Sequence, residues 1–266
     1  MVYALCSKRY TKTILFFLFI PALLLPSAQG AENPFWNFPE APPQEEYGNL
    51  LINRTSEKNG VKAATFSHWS HRLKYTCRVC HLELEFNMKV NATEITEEAN
   101  KDGRYCGASG CHDGKTAFGH DQPNCEKCHN GDRSYGKDKF SNLSSLPKRN
   151  FGNGVDWAKA LKKGLITPVD YLVTKPSSDI SYDKRIKLEA EWNNIPPAFF
   201  SHKSHGALLD CSNCHPEIFN IKKKTTKHFS MELNLKGEFC GVCHLSVAFP
   251  MNDCKGCHPG ISEIPQ

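Results

Sequence analysis

The chain has 266 residues with 33 basic and 28 acidic side chains, which gives a formal net charge of +5. Hydrophobic residues make up 39% of the chain, and it contains 18 glycines and 16 prolines. This composition predicts that something other than side chains fills much of the interior. The modest positive charge gives no reason to expect a nucleic-acid-binding protein.

The N-terminus has the pattern of a secretory signal peptide. Basic residues precede an apolar run at 14–25, and the small residues at 28–30 resemble a cleavage site. The run is too short to span a bilayer, which takes about 20 residues. We therefore expect residues 1–30 to be removed and the mature chain to begin near Ala31 in the periplasm. An outer-membrane-associated or extracellular location is the alternative.

Twelve of the 13 cysteines follow this leader, and ten of them occur in a repeated motif. Five stretches read CxxCH, in which two thiols can add to the vinyl groups of one haem while the adjacent histidine ligates its iron. Zinc sites and disulfides also use cysteine pairs, but neither needs a histidine after every second cysteine. The motifs are CRVCH at 77–81, CEKCH at 125–129, CSNCH at 211–215, CGVCH at 240–244 and CKGCH at 254–258.

A sixth stretch, CGASGCH at 106–112, has four residues between its cysteines instead of two. A shift of 134 residues aligns FSHWSH at 66–71 with FSHKSH at 200–205, and CRVCH with CSNCH. The same shift aligns the irregular stretch with the regular motif CGVCH. Because an internal repeat gives it the position of a haem motif, we predict that it binds haem despite the two inserted residues.

In chain order, the six motifs are called the first to sixth haem sites. The cysteines predicted to attach haem are Cys77, Cys80, Cys106, Cys111, Cys125, Cys128, Cys211, Cys214, Cys240, Cys243, Cys254 and Cys257. The predicted proximal iron ligands are His81, His112, His129, His215, His244 and His258. Six other histidines, one per haem as bis-histidine ligation requires, are the predicted distal ligands: His68, His71, His120, His202, His205 and His228.

This arrangement resembles the cytochrome c7 family, whose triheme modules are related to cytochrome c3. The resemblance covers about residues 60–131 and 195–260, and its most specific element is the pair of histidines ahead of the first motif. It implies two tandem triheme modules, each a mostly irregular chain with short α-helices and minimal β-structure wrapped around haem. We also expect short helices at several motifs and a short strand before each FSH.

The resemblance implies that the paired histidines ligate the first and second haems of a module, and that a third distal histidine lies between the first two motifs. The implied pairs are His68 with His81, His71 with His112, His202 with His215, His205 with His244 and His228 with His258. The first module departs from this pattern because Glu94 stands at the position of His228. We expect His120 to replace it as the partner of His129. A competing assignment gives the sixth iron Met251, which aligns with His120.

The predicted organisation is a signal peptide at 1–30, an N-terminal triheme module with a leading arm at 31–131, a linker at 132–197 and a C-terminal triheme module at 198–266. The early linker is rich in Ser, Asn, Lys and Gly, which favours irregular structure. The best helix candidate is 156–163, with Trp157 and Leu161 on one face and Gly164 at its end. This helix is expected either to pack over haem edges or to form a docking surface or clamp across the modules.

Bis-histidine iron has no open position for a substrate, so the pattern favours a non-catalytic electron carrier with six covalently attached haem c groups. The resemblance implies anaerobic respiration with metal or sulfur compounds. The expected partners are redox proteins: a membrane quinol oxidoreductase or periplasmic cytochrome as donor and an outer-membrane or extracellular acceptor. No nucleic acid and no stable membrane insertion are expected.

Two other functions remain open. A multihaem reductase for nitrite, hydroxylamine or a metal oxyanion would need one five-coordinate haem, and His120 and His228 are the weakest ligand assignments. The protein could instead be a subunit of an outer-membrane or extracellular electron conduit.

Overall fold

The computed structural model describes residues 38–173, 182–190, 194–220 and 229–261. The predicted signal peptide and His228 lie outside these residues. The described chain forms short α-helices of four to six residues: α1 (His68–Arg72), α2 (Glu97–Lys101), α3 (Cys125–Cys128), α4 (Trp157–Lys162), α5 (His202–Gly206), α6 (Met231–Leu235), α7 (Gly241–His244) and α8 (Cys254–Cys257). None of these helices is long and apolar enough to cross a membrane.

The described β-structure consists of two small antiparallel sheets. Strand β1 (Asn49–Ile52) pairs with β2 (Ala64–Ser67), and β3 (Arg185–Leu188) pairs with β4 (Ala198–Ser201). Strands β2 and β4 each end at the serine of an FSH sequence, so the predicted strand before each FSH is confirmed. The fold is that predicted: a mostly irregular chain with short helices and minimal sheet.

The internal repeat of the sequence is also a repeat of structure. Helices α1 and α5 begin at equivalent histidines, directly after an extended serine. Helices α2 and α6 follow the same shift of 134 residues and have equivalent N-caps. The hydroxyl of Thr96 accepts the backbone N–H of Ala99, and that of Ser230 accepts the N–H of Leu233. Such caps satisfy an otherwise free N–H at a helix start, so both repeats set this helix by the same contact.

The linker is more ordered than predicted. It contains a 3₁₀ segment, Lys137–Leu143, and strand β3, which pairs with the second module. The prediction of irregular structure for the early linker is therefore wrong at this segment. Phe140 and Leu143 lie three residues apart, which a 3₁₀ turn places on one side, and both pack against Trp69 of α1.

The predicted linker helix is present as α4. The carboxylate of Asp156 caps it by accepting the backbone N–H of Lys159, and Gly164 follows its end with a φ of 66°. The helix packs on side chains of α1 and the early linker, which form a small hydrophobic core. The buried members of this core are Trp69, Leu143, Leu146, Val155 and Ala160. This part of the linker thus packs against the first module.

Two glycines stand where the backbone leaves no room for a side chain. A Cβ at Gly107 would lie 1.8 Å from the carbonyl oxygen of Asn100, and a Cβ at Gly241 would lie 1.9 Å from that of Asn234. These positions are equivalent in the repeat. Each therefore lets the start of a haem motif pack directly on the helix that precedes it.

Gly107→Ala and Gly241→Ala should each destabilise the protein by about 2–3 kcal/mol, because the added methyl must push a backbone carbonyl away. Gly206→Ala is the matched control, since a Cβ at Gly206 meets nothing within 4 Å. The control should change the free energy of unfolding by no more than about 0.5 kcal/mol. Denaturant unfolding of the purified holoproteins measures this. If Gly107→Ala is as stable as the wild type, residue 107 does not pack directly on the carbonyl of Asn100.

Candidate haem-binding sites

Ten histidines share one polar contact. The Nδ1 atom of each lies 2.6–3.0 Å from a backbone carbonyl oxygen that can accept its proton. A histidine held in this way keeps the lone pair of Nε2 for a metal. The acceptors are Gly48 for His68, Ser67 for His71, Phe86 for His81, Phe118 for His112, Lys62 for His129, Lys184 for His202, Ser201 for His205, Phe219 for His215, Phe249 for His244 and Pro196 for His258.

Two of the predicted pairs lie at the spacing of a shared metal ion. The ring centroids of His71 and His112 are 6.2 Å apart, and those of His205 and His244 are 6.3 Å apart. Two imidazole nitrogens at about 2 Å from one metal place the ring centroids roughly 6 Å apart. The structure therefore brings together the ligands predicted for the second and fifth haem sites.

The phenylalanine of each FSH sequence contacts the two paired distal histidines of its module. The ring of Phe66 stacks on His71 at 4.5 Å with an interplanar angle of 29°, and it meets His68 edge-on at 4.8 Å. Phe200 repeats both contacts in the second module, at 4.3 Å and 4.9 Å. One aromatic ring thus packs against two predicted ligands at once, which explains why an aromatic residue begins the FSHxxH pattern.

The irregular motif closes like a regular one. The backbone N–H of His112 donates to the carbonyl of Cys106 at 2.9 Å, and that of His244 donates to Cys240 at the same distance. The residue before the first cysteine has a φ of 48° in both motifs. The two inserted residues therefore leave both ends of the motif in the same conformation, and the second site fits haem as the fifth does.

Ten of the twelve attachment cysteines are partly buried, and Cys125 and Cys211 are exposed. Burial raises the pKa of Cys80 and of Cys106 to about 12, and charge repulsion from Cys111 contributes to both increases. Cys128 also contributes to the increase at Cys106. The first three haem sites therefore adjoin in chain order.

Burial also keeps several predicted ligands neutral. It lowers the pKa of His68 to about 3 and that of His244 to about 4. A neutral imidazole is the form that binds a metal. Partly buried thiols, neutral imidazoles and Nδ1 contacts that leave Nε2 for a metal together fit covalently bound haem. In the described ranges, the side chains of His, Cys, Asp and Glu form no group of three or more arranged to hold a metal ion directly.

The model of the family described as "Cytochrome c7 and related cytochrome c" matches residues 64–130 and 198–259. The protein is a multihaem c-type cytochrome with two c7-type regions. Two solved structures match the chain. Their TM-scores are low, so the family assignment does not rest on them. The C-terminal hexaheme fragment of GSU1996 is 25% identical, with 82% of this chain and 99% of that chain covered and a TM-score of 0.26. The dodecaheme cytochrome c GSU1996 is 24% identical, with 81% and 75% covered and a TM-score of 0.28. A search of curated proteins gave no match.

His120 differs from the other described histidines of this cytochrome. Its Nε2 is buried and has no hydrogen-bond partner among the described residues. Its ring lies 6.4 Å from that of His112, so it borders the second haem site. The hydrogen bond from Lys101 lowers the pKa of Glu97, and the charges of His120 and His129 lower it further. Both predicted ligands of the third haem therefore lie near one carboxylate, and their pairing stays a prediction.

The remaining assignments concern the sixth haem. His228 lies outside the described residues, and Met251, the competing ligand, is 9% exposed. At the position equivalent to His228 in the first module, Glu94 lies 3.6 Å from Arg54 in an exposed ion pair. Both assignments for the sixth iron stay open.

The sequence interpretation missed the residues that hold the histidines in place. Phe86, Phe118, Phe219 and Phe249 supply the acceptor carbonyls for four proximal histidines and follow them by four to six residues. A phenylalanine shortly after the motif was thus a usable signal. Nothing in the spacing indicated Lys62 or Pro196, which are 67 and 62 residues from the histidines that they contact.

Sequence reasoning also missed the contacts between the modules. The side chain of Asn213 donates to the carbonyl of His81 at 2.9 Å, which links the fourth motif to the first. The guanidinium of Arg78, in the first motif, donates to the carbonyls of Gly206 at 2.7 Å and Leu209 at 2.9 Å. Residues between the cysteines of two motifs therefore join the modules of the cytochrome.

His71→Ala and His205→Ala should each convert one haem from low spin to high spin, because each removes the imidazole that faces a proximal histidine. Electron paramagnetic resonance (EPR) of the oxidised protein measures the spin state. Lys203→Ala, an exposed change in the same helix as His205, is the control and should leave the spectrum unchanged. A wholly low-spin spectrum for His71→Ala would show that another residue, with His120 the nearest candidate, ligates the second iron.

Proposed function

We propose that this cytochrome is a hexahaem electron carrier of the bacterial cell envelope with bis-histidine iron at every haem. The observation that supports this most directly is the shared contact of the ten histidines, whose Nδ1 atoms contact carbonyls and whose Nε2 atoms are left for iron. Covalently bound haem supplies reversible one-electron chemistry at its iron. The carbonyl contacts would fix both predicted ligands of the first, second, fourth and fifth irons and the proximal ligands of the third and sixth.

Fixed ligands on both faces suit transfer of electrons better than catalysis. An imidazole held by a backbone carbonyl cannot rotate away without losing that hydrogen bond, which contributes about 1 kcal/mol. His71 and His205 are also stacked on phenylalanine rings. These contacts oppose the loss of a ligand that would open a position for a substrate. The proposal is therefore a carrier and not an enzyme.

The expected setting is the periplasm, in anaerobic respiration with metal or sulfur compounds. The support for export is the signal-peptide pattern at 1–30, which lies outside the described residues. A membrane quinol oxidoreductase or a periplasmic cytochrome would supply electrons, and an outer-membrane or extracellular redox protein would accept them.

A multihaem reductase is the second candidate, and His120 is the observation that favours it. Of the eleven histidines that the structure describes, His120 lacks the Nδ1 contact with a carbonyl. A ligand without that contact is freer to leave the iron, which would then be five-coordinate. The third haem site is where this activity would reside.

The spin state of the oxidised protein, measured with and without cyanide, separates the two functions. A carrier should give six low-spin haems and an absorption spectrum that cyanide does not change. A high-spin component that binds cyanide in the wild type would overturn the proposal and favour the reductase. The His71→Ala variant, in which one iron position is opened, is the positive control for cyanide binding.

A further inference from the structure

Arg72 connects the two modules. It is the last residue of α1 and follows His71, and its side chain is half-buried. One guanidinium nitrogen donates to the carbonyl of Val247 at 3.3 Å, and the guanidinium lies over the ring of Trp157 at 5.1 Å. Val247 comes three residues after the fifth motif. A cation of the first module therefore reaches the fifth haem site, in the second module.

The charge of Arg72 acts on ligands of both modules. Burial lowers the pKa of His68, a predicted ligand of the first haem, and the charge of Arg72 lowers it further. Burial is also the largest cause of the lowered pKa of His244 in the fifth site, where the charges of His205 and Arg149 contribute ahead of that of Arg72. The neighbouring thiols of Arg72 are Cys77 of the first site and Cys243 of the fifth. Arg72 lies four residues after His68 in α1, on the same face of that helix, and its hydrogen bond to Val247 places it beside the turn that follows the fifth motif.

No carboxylate of the described residues forms an ion pair with Arg72. Two other arginines that contact the second module do form ion pairs: Arg78 pairs with Asp170, and Arg149 pairs with Asp253. An unpaired charge in partly dry surroundings acts more strongly on its neighbours than an exposed, paired one. The field of Arg72 is therefore left to act on the haem sites beside it.

The loop after the fifth motif is held against the first half of the chain by further contacts. The hydroxyl of Tyr47 donates to the carbonyl of Ala248 at 2.7 Å, and Arg149 lies over the ring of Phe249 at 4.5 Å. Phe249 also supplies the carbonyl that holds His244. These contacts fix the loop independently of Arg72, so its charge can be removed while other residues keep the junction in place.

We propose that Arg72 is a shared charge that raises the reduction potentials of the first and fifth haem sites, which belong to different modules. The inference rests on the proposed function as an electron carrier. Ferric haem carries one more positive charge than ferrous haem, so a nearby cation favours the reduced form. Arg72 is not one of the predicted iron ligands and acts as a tuning residue.

Arg72→Gln should shift the one-electron equilibrium of two haems, one in each module, about tenfold towards the oxidised form. That shift corresponds to a potential about 59 mV lower at each haem. Exchange NMR of the full holoprotein follows the methyl signals of each haem through the stages of oxidation. Arg72→Lys keeps the charge and should restore most of the wild-type potential.

Arg54→Gln removes an equal charge from an exposed ion pair and should leave both potentials near their wild-type values. Should Arg72→Gln fail to assemble, Arg72→Met is a second neutral variant that keeps the aliphatic stem over Trp157. Unchanged potentials, shifts confined to one module, or equal shifts at all six haems would overturn the proposal. If one of these results is obtained and the wild-type protein is low-spin throughout, only the role of Arg72 is refuted. If the wild-type protein binds cyanide, the carrier function is refuted.

Discussion

The hydrogen bond from histidine Nδ1 to a backbone carbonyl is the constraint on which the rest of this structure depends. It fixes the tautomer and the ring plane of ten predicted iron ligands, and the acceptors lie between residues 48 and 118 and between residues 184 and 249. Helices α1 and α5 supply the contact within four residues, at Ser67 and Ser201. For the proximal histidines, the acceptor carbonyl lies either in the turn after the motif or in a distant segment. The fold provides such an acceptor for all six of them.

The described secondary structure is sparse, and its elements are short. Helices of four to six residues and strands of four are too short to be stable alone, because most helical stability in proteins comes from packing. The side-chain core is small and lies between α1 and the linker. Haem surfaces are expected to supply the remaining apolar contacts, so that folding depends on cofactor attachment, as it does in small metal-dependent domains.

The resemblance to the cytochrome c7 family predicted the fold class, and the sequence also predicted the strand before each FSH and the linker helix. The helix could be predicted because it depends on residues close in the chain: Trp157 and Leu161 on one face and a glycine at its end. The 3₁₀ segment at Lys137–Leu143 was missed because it is set by packing against Trp69, more than sixty residues away. Distant segments likewise set the acceptors Lys62 and Pro196, and no local spacing encodes them.

The repeat made the irregular motif interpretable, and the structure gives the physical reason. CGASGCH and CGVCH each follow a residue with a φ of 48°, end with a hydrogen bond from the histidine N–H to the carbonyl of the first cysteine, and pack a glycine on an equivalent helix carbonyl. The two extra residues are accommodated between fixed ends. These shared features support the prediction that the irregular motif binds haem as the regular one does.

The mass of the intact, exported protein tests this account most directly, because it reports the number of covalent haems. We expect the mass of a chain that begins near Ala31 with six haems attached. A mass with five haems would show that the irregular motif at 106–112 holds none, and would contradict the pairing of His71 with His112.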